Sequence, residues 1–265
     1  MLLRTLLALT LLAALPARAE PVDPGLQKAV DAPLRSAKNR ARDIYRHPAE
    51  ALSFFGVKPD SVVVEIDPGA AGYWTEILAP YLKAKGRYIA ANPEPISDEA
   101  KRGDQGFAAK IAANPEAFGA VETSTFAADR HPIAPPGSAD FVLTFRNLHN
   151  WIKSGEVEAS LKAFYAALKP GGVLGIVDHR GLASAPQDPQ AKSGYVRQDY
   201  AILLIEGVGF KFVAASEINA NPKDTKDYPR GVWTLPPTYR LKDVDRAKYE
   251  AIGESDRFTL KFVKP

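Results

Sequence analysis

Runs of apolar residues alternate with amphipathic stretches along most of the 265-residue chain. Val62, Val63, Val64 and Ile66 form an apolar run without polar alternation, the pattern of a central parallel strand covered on both faces. Gly69 and Gly72 follow, and Thr75 to Leu78 open a helix, so a buried strand, a turn and a helix start lie within residues 61–78. The rhythm continues with a strand at 86–91, a helix at 99–113, and strands at 120–123 and 139–145. Val157, Leu161, Phe164, Tyr165 and Leu168 recur at helical spacing over 156–169, and LKPGG at 168–172 stops that helix before a strand at 172–178. A helix at 195–208, a strand reading FKFVAAS and a closing strand in RFTLKFVKP complete the pattern. The last two strands are separated by a loop at 219–242, long enough to be either functional or mobile. Strands alternating with helices in this way predict an α/β class fold with a doubly wound parallel sheet.

The first part of the chain reads differently. Arg4, an apolar run from Leu6 to Leu15 broken only by Thr10, and Ala17-Arg18-Ala19 predict a secretory signal peptide at 1–19, cleaved after Ala19. Its apolar core is about half of the ~20 residues a spanning helix needs, so no membrane span is expected after cleavage. Pro21, Pro24 and Gly25 suggest a loose arm at 20–31. Residues 33–55 predict two short helices broken at His47-Pro48 and packed on the domain edge. The organisation is therefore a leader at 1–19, an N-terminal helical extension at 20–56 and a main domain at 57–265. Arg40, Arg42, Asp43, Arg46 and His47 read as a solvated helix face with internal ion pairs.

Composition narrows the picture further. With 46% hydrophobic and 25% charged residues, the chain can bury one substantial core. Loss of Arg4 and Arg18 with the leader lowers the formal charge from +3 to near +1, which gives no electrostatic case for nucleic acid or an anionic membrane as partner. The absence of cysteine removes disulfides, lipoprotein anchoring, thiolate metal sites and thiol nucleophiles, and fits a periplasmic or secreted location.

The candidate chemistry sits at strand ends. Glu65 and Asp67 at the first turn repel a bare diphosphate and favour a ligand with cationic and hydroxyl groups. TFRNLHNW, at 144–151, lies at the edge where open α/β sheets bind ligands. There His149 suits a general base, and Arg146 and Asn147 could hold the carboxylate of a cofactor or an acidic substrate; the alternative is a turn that only caps the next helix. Asp178, His179 and Arg180 close the following strand on the same crevice. A metal site from His149, Asp178 and His179 has no ligand spacing on one element to support it, and none is expected. His47 and His131 are read as loop histidines, and Tyr165 with Lys169 as a core pair. No GxSxG, Walker loop or HExxH occurs.

Taken together, RHPAEALSFFGVKP, VVVEIDPGAAGYWTEILAPYLKAKG, ADFVLTFRNLHNW, LKPGGVLGIVDHR and DRFTLKFVKP resemble class I S-adenosylmethionine-dependent methyltransferases, and more narrowly the predicted exported bacterial members. The resemblance implies a Rossmann-like seven-stranded sheet of order 3-2-1-4-5-7-6 with strand 7 antiparallel, and S-adenosyl-L-methionine as cofactor. Glu65, Asp67, Gly69 and Gly72 would cradle its methionine and sulfonium part. The family pattern ExGxGxG is altered: Asp67 and Ala71 occupy glycine positions and Gly72 is displaced by one. The family's acid at the end of the second strand is replaced by Ala90-Ala91, leaving Asn92 or Glu94 for the ribose, with Asp129 for the adenine. His149 would be the base or acceptor-positioning group, with Arg146, Asn147 and His179 nearby, and the acceptor a small molecule or envelope component. The altered turn and missing acid keep open a second reading, a binding module on a methyltransferase scaffold. A nicotinamide-dependent oxidoreductase is the weakest of the three.

Overall fold

A computed structural model describes residues 21–128 and 130–265; the expected signal peptide and Asp129 lie outside the described residues. The chain opens with four short helices, α1 (Pro24–Val30), α2 (Ala37–Arg40), α3 (Asp43–Arg46) and α4 (Pro48–Phe55). Then follow β1 (Val62–Ile66), α5 (Thr75–Leu82), β2 (Arg87–Pro93), α6 (Asp98–Ala113), α7 (Pro115–Phe118), β3 (Glu122–Phe126) and β4 (Ala139–Phe145). The second half contains α8 (Leu148–Ser154), α9 (Val157–Ala167), β5 (Leu168–His179), α10 (Gln198–Gly207), β6 (Lys211–Ser216), α11 (Arg246–Ile252) and β7 (Arg257–Val263).

The strands form one sheet of order β3-β2-β1-β4-β5-β7-β6, parallel except for β7, which runs antiparallel to both β5 and β6. Successive strand residues point to opposite faces, so neighbours in β1 and β4 enter different cores. Val63, Phe141 and Leu143 pack with α1, α4 and α5, whereas Val64, Ile66 and Val142 pack with α8, α9 and α10. This is why β1 reads as a continuous apolar run. Among the described residues no helix is long and apolar enough to cross a membrane.

Four local expectations are corrected. The supposed arm holds α1, because Asp23 accepts from Leu26 N–H at 2.9 Å and Pro24 occupies the first turn, where its missing N–H costs nothing. Residues 33–55 form three helices; the break at His47-Pro48 is real, with His47 at φ 42°. The charged face is only partly solvated: Arg40 is exposed and Arg42, Asp43 and His47 are half-buried, but Arg46 is buried. Arg35 is 1% and Arg46 4% exposed. Arg35 grips Asp43 through two bonds of 2.7 and 2.8 Å, and Tyr73 donates to the same carboxylate at 2.6 Å. LKPGG does stop the helix, since α9 ends at Ala167, but it also belongs to β5, which starts at Leu168 and not at 172, with a register irregularity opposite Ala139–Phe141.

Candidate active site

The sheet order changes direction between β1 and β4, and open α/β sheets bind ligands in the crevice at such a switch point. Asp67 and Arg146 each occupy the first position after those two strands. Both have positive φ, 52° and 66°, an uncommon state for residues with a Cβ. Their N–H groups continue the ladder, Asp67 to Ala91 O at 3.0 Å and Arg146 to Val177 O at 2.7 Å, and this bonding holds the strained turns in place.

Three cavities meet at this edge. The first, about 250 Å³, is lined by Asp67, Glu94, Phe126, Asn147 and Trp151. A second, about 340 Å³, shares Asp67 with it and is lined by Gly69, Asn92 and Glu99. A third, about 250 Å³, lies beneath the 219–242 loop and is lined by Arg146, His149, His179, Trp233, Glu254 and Ser255. Asn150 borders the first and third, and Glu99 the second and third.

Asp178, at the end of β5 and fully buried, organises the third cavity. Its Oδ2 accepts from the His149 backbone N–H at 2.9 Å and its Oδ1 from His179 N–H at 2.7 Å. The His149 ring Nδ1 lies 2.9 Å from Oδ1. Burial would raise the Asp178 carboxyl, but His149, His179 and the N–H donors bring it below its ordinary value. An ionised carboxylate only accepts, so His149 carries its proton on Nδ1 and keeps Nε2 as the basic atom. Burial holds His179 neutral, and Ser255 Oγ sits 2.5 Å from its Nδ1. Ligand atoms of His149, Asp178 and His179 lie within 4.8 Å of one another. Both Asp178 oxygens are engaged by N–H donors, however, and Arg146 and Arg257 depress the proton affinity of His179. A dication would face that same repulsion.

The other expected residues fall into distinct roles. Asn147 does not cap α8 with its side chain; its Nδ2 donates to Ile66 O and Thr144 Oγ1, both at 3.1 Å, tying β4 to β1 beside the crevice. Gly69, at φ 65°, has no atom within 4 Å of a notional Cβ, whereas a Cβ on Gly72 would meet Lys110 at 2.9 Å. Gly69 thus presents open backbone to the cavity, and Gly72 lets α6 pack close to the turn. Asn92 and Glu94 reach different cavities, and Glu94 is held by Arg130 at 2.6 Å. Glu65 lines none of the three. It is 2% exposed, accepts from Tyr88 Oη at 2.5 Å, and burial pushes it up to about 8. Asp129 lies outside the described residues.

Glu254 and Ser255 of the third cavity escaped the sequence reading, and Trp233 figured in it only as part of the long loop. Trp233 stands edge-on to His149 with ring centroids 5.9 Å apart. Its loop is fixed where Val232 N–H donates to Ser193 O at 2.9 Å and where Asp224 accepts from Tyr195 and from Asp256 N–H. The only signal was the length of the loop and its single tryptophan.

No family model matches the sequence, and no curated protein matches it. Solved structures do. A SAM-dependent methyltransferase from Aquifex aeolicus superposes with a TM-score of 0.57 at 18% identity, over 92% of this chain and 100% of that one. A putative methyltransferase from Bacillus halodurans gives 0.51 at 15% identity, over 82% and 98%. The fold is that of class I methyltransferases. The [4+2]-cyclase SpnF shares it, with a TM-score of 0.55 at 14% identity over 91% of each chain, so the methyltransferase fold by itself does not name the reaction.

Proposed function

We propose that the protein is an S-adenosylmethionine-dependent methyltransferase acting on a small molecule outside the cytoplasm. The observation that carries the reading is the His149–Asp178 pair in a cavity adjoining the Asp67 crevice at the switch point. The residues present fit the cofactor. Open backbone at Gly69, the Asp67 carboxylate, polar Asn92 and Glu94, and the apolar Phe126 and Trp151 would hold its amino-acid, sulfonium, ribose and base portions respectively. When bound, S-adenosylmethionine supplies a methyl carbon whose bond to sulfur breaks as the acceptor's new bond forms, leaving a neutral thioether.

The chain's own residues then account for the rest. Asp67 and Glu94 favour a cationic ligand electrostatically. His149 Nε2 takes the proton of an acceptor hydroxyl or amine, and Asp178 stabilises the resulting imidazolium and fixes the ring. Trp233 and its loop cover the cavity against water. The reading of export is supported by the apolar leader with its Ala17-Arg18-Ala19 end and by the absence of cysteine.

Calorimetry with S-adenosylhomocysteine tests the cofactor, and no binding at millimolar concentration would overturn the reading. His149→Ala and Asp178→Asn should retain that binding while lowering methyl transfer by about 10²-fold or more, the usual range for removing a general base. Unchanged turnover in both variants would remove His149 from the chemistry.

A further inference from the structure

Four guanidinium groups gather around one carboxylate beneath the third cavity. Arg42 Nε lies 2.6 Å from Glu254 Oε1, while Arg257 Nη1 and Arg46 Nε lie 3.0 and 3.5 Å from Oε2. Arg146 borders both this cavity and a small pocket, of about 10 Å³, that is also lined by Arg46, Arg257 and Trp74. Arg46 and Arg257 are 4% and 3% exposed. Asp178 and Asp67 also act on Arg146, and the four guanidiniums still outnumber these three carboxylates. Each of the four also keeps a buried N–H with no hydrogen-bond partner among the described residues: Arg42 Nη2, Arg46 Nη2, Arg146 Nε and Arg257 Nε. Buried guanidinium donors in native proteins are normally satisfied by protein, water or a bound ligand, and a negatively charged acceptor is the partner a cluster of cations binds most strongly.

The consequences for the charges are visible in the site. Burial lowers Arg46 well below the ordinary arginine value, and repulsion from Arg146 adds to it. Burial, together with repulsion from Arg42 and Arg257, brings Arg146 down to about 10. Glu254, which burial alone would raise, is instead held at about 2 by Arg257, Arg46 and Arg42. Glu254 is thus fully ionised and still insufficient. The small pocket admits one oxygen atom, and Arg146 is the side chain that connects it to the larger cavity with His149.

We propose that Arg46, Arg146 and Arg257 receive the anionic group of the acceptor, which is a small organic acid, such as a carboxylate, whose nucleophilic atom is presented to His149. This rests on the methyl-transfer reading. The chambers that adjoin the third cavity carry Asp67 and Glu94 and no arginine of this cluster, which suits the cationic donor, so opposite charges sort the two ligands into adjacent cavities. The arginines also set selectivity, because a neutral analogue would leave their donors unpaired.

The test is a calorimetric titration of the full protein saturated with S-adenosylhomocysteine, whose own carboxylate is then already seated. Inorganic sulfate and benzoate should each bind once, with benzamide at least tenfold weaker. Arg146→Met should abolish benzoate binding while changing S-adenosylhomocysteine affinity less than threefold, and Arg146→Lys should restore part of it; circular dichroism verifies that both variants are folded. Failure of both sulfate and benzoate to bind the saturated protein overturns the proposal. So does a tenfold or greater loss of S-adenosylhomocysteine affinity in Arg146→Met that its decarboxylated analogue does not share, since the arginines would then hold the donor's carboxylate. If S-adenosylhomocysteine itself does not bind, the methyltransferase reading fails separately, and sulfate titration of the free protein still decides whether an anion is received.

Discussion

At the scale of single residues, two acids near the crevice illustrate opposite outcomes of burial. Asp178 is surrounded by donors and stays ionised, whereas burial pushes Glu65 up to about 8 despite the hydrogen bond from Tyr88. The raised value gives a signed prediction. Between the unfolded value near 4.5 and about 8, the folded chain holds a proton on Glu65 that the unfolded chain has lost, so stability falls as pH rises through that window. Urea unfolding should therefore show Glu65→Gln gaining on the native protein from pH 5 to pH 8, by a few kcal/mol at most; a constant difference would refute the assignment. The sequence made His149, Asp178 and His179 visible as polar residues at the ends of apolar strands. It also suggested Glu65 as a cofactor contact, because strand alternation alone does not say which face carries the ligand and which carries Tyr88.

At the scale of elements, the N-terminal helices are a clamp on the glycine turn. Asn39 Nδ2 donates to Ala71 O at 3.0 Å, Ser36 N–H reaches Glu76 at 3.2 Å, and Lys110 from α6 meets Glu76 at 2.5 Å. Arg35, with its bonds to Asp43 and Val30 O, ties α1 to α3. Arg35→Ala leaves Asp43 with Tyr73 as its remaining side-chain donor and no charge partner, and should cost roughly 3–5 kcal/mol, the range for breaking a buried pair. Thermal or urea unfolding measures it, and a loss under 1 kcal/mol would show that the pair is solvated after all. These contacts were illegible in the sequence for a simple reason. Arg42, Arg46 and Arg257 were plain as charges, but their meeting point, Glu254, lies 208 and 212 residues from Arg46 and Arg42, beyond any local periodicity. The strands and helices of the main domain were legible because their burial pattern repeats every two or every 3.6 residues.

At the scale of the whole molecule, the sheet order and the antiparallel β7 follow the expectation set by the resemblance, and the solved structures share that architecture at identities of 11–18%. What such distant likeness leaves to each chain is the lining of the cavities, here the Asp67 turn, the His149–Asp178 pair and the arginine cluster. The leader makes its own prediction: protein recovered from the periplasm or medium should begin at Glu20 by intact-mass measurement, and a full-length mass retained in the cytoplasm would count against export.

The position of β7 has one more effect. It is the final strand, yet it fills the gap between β5 and β6, and the residues just before it, Glu254 and Ser255, contact Arg42 and His179. Among the described strands β6 pairs with β7 alone, so this edge of the sheet and the Glu254–Ser255 wall of the third cavity can only form together.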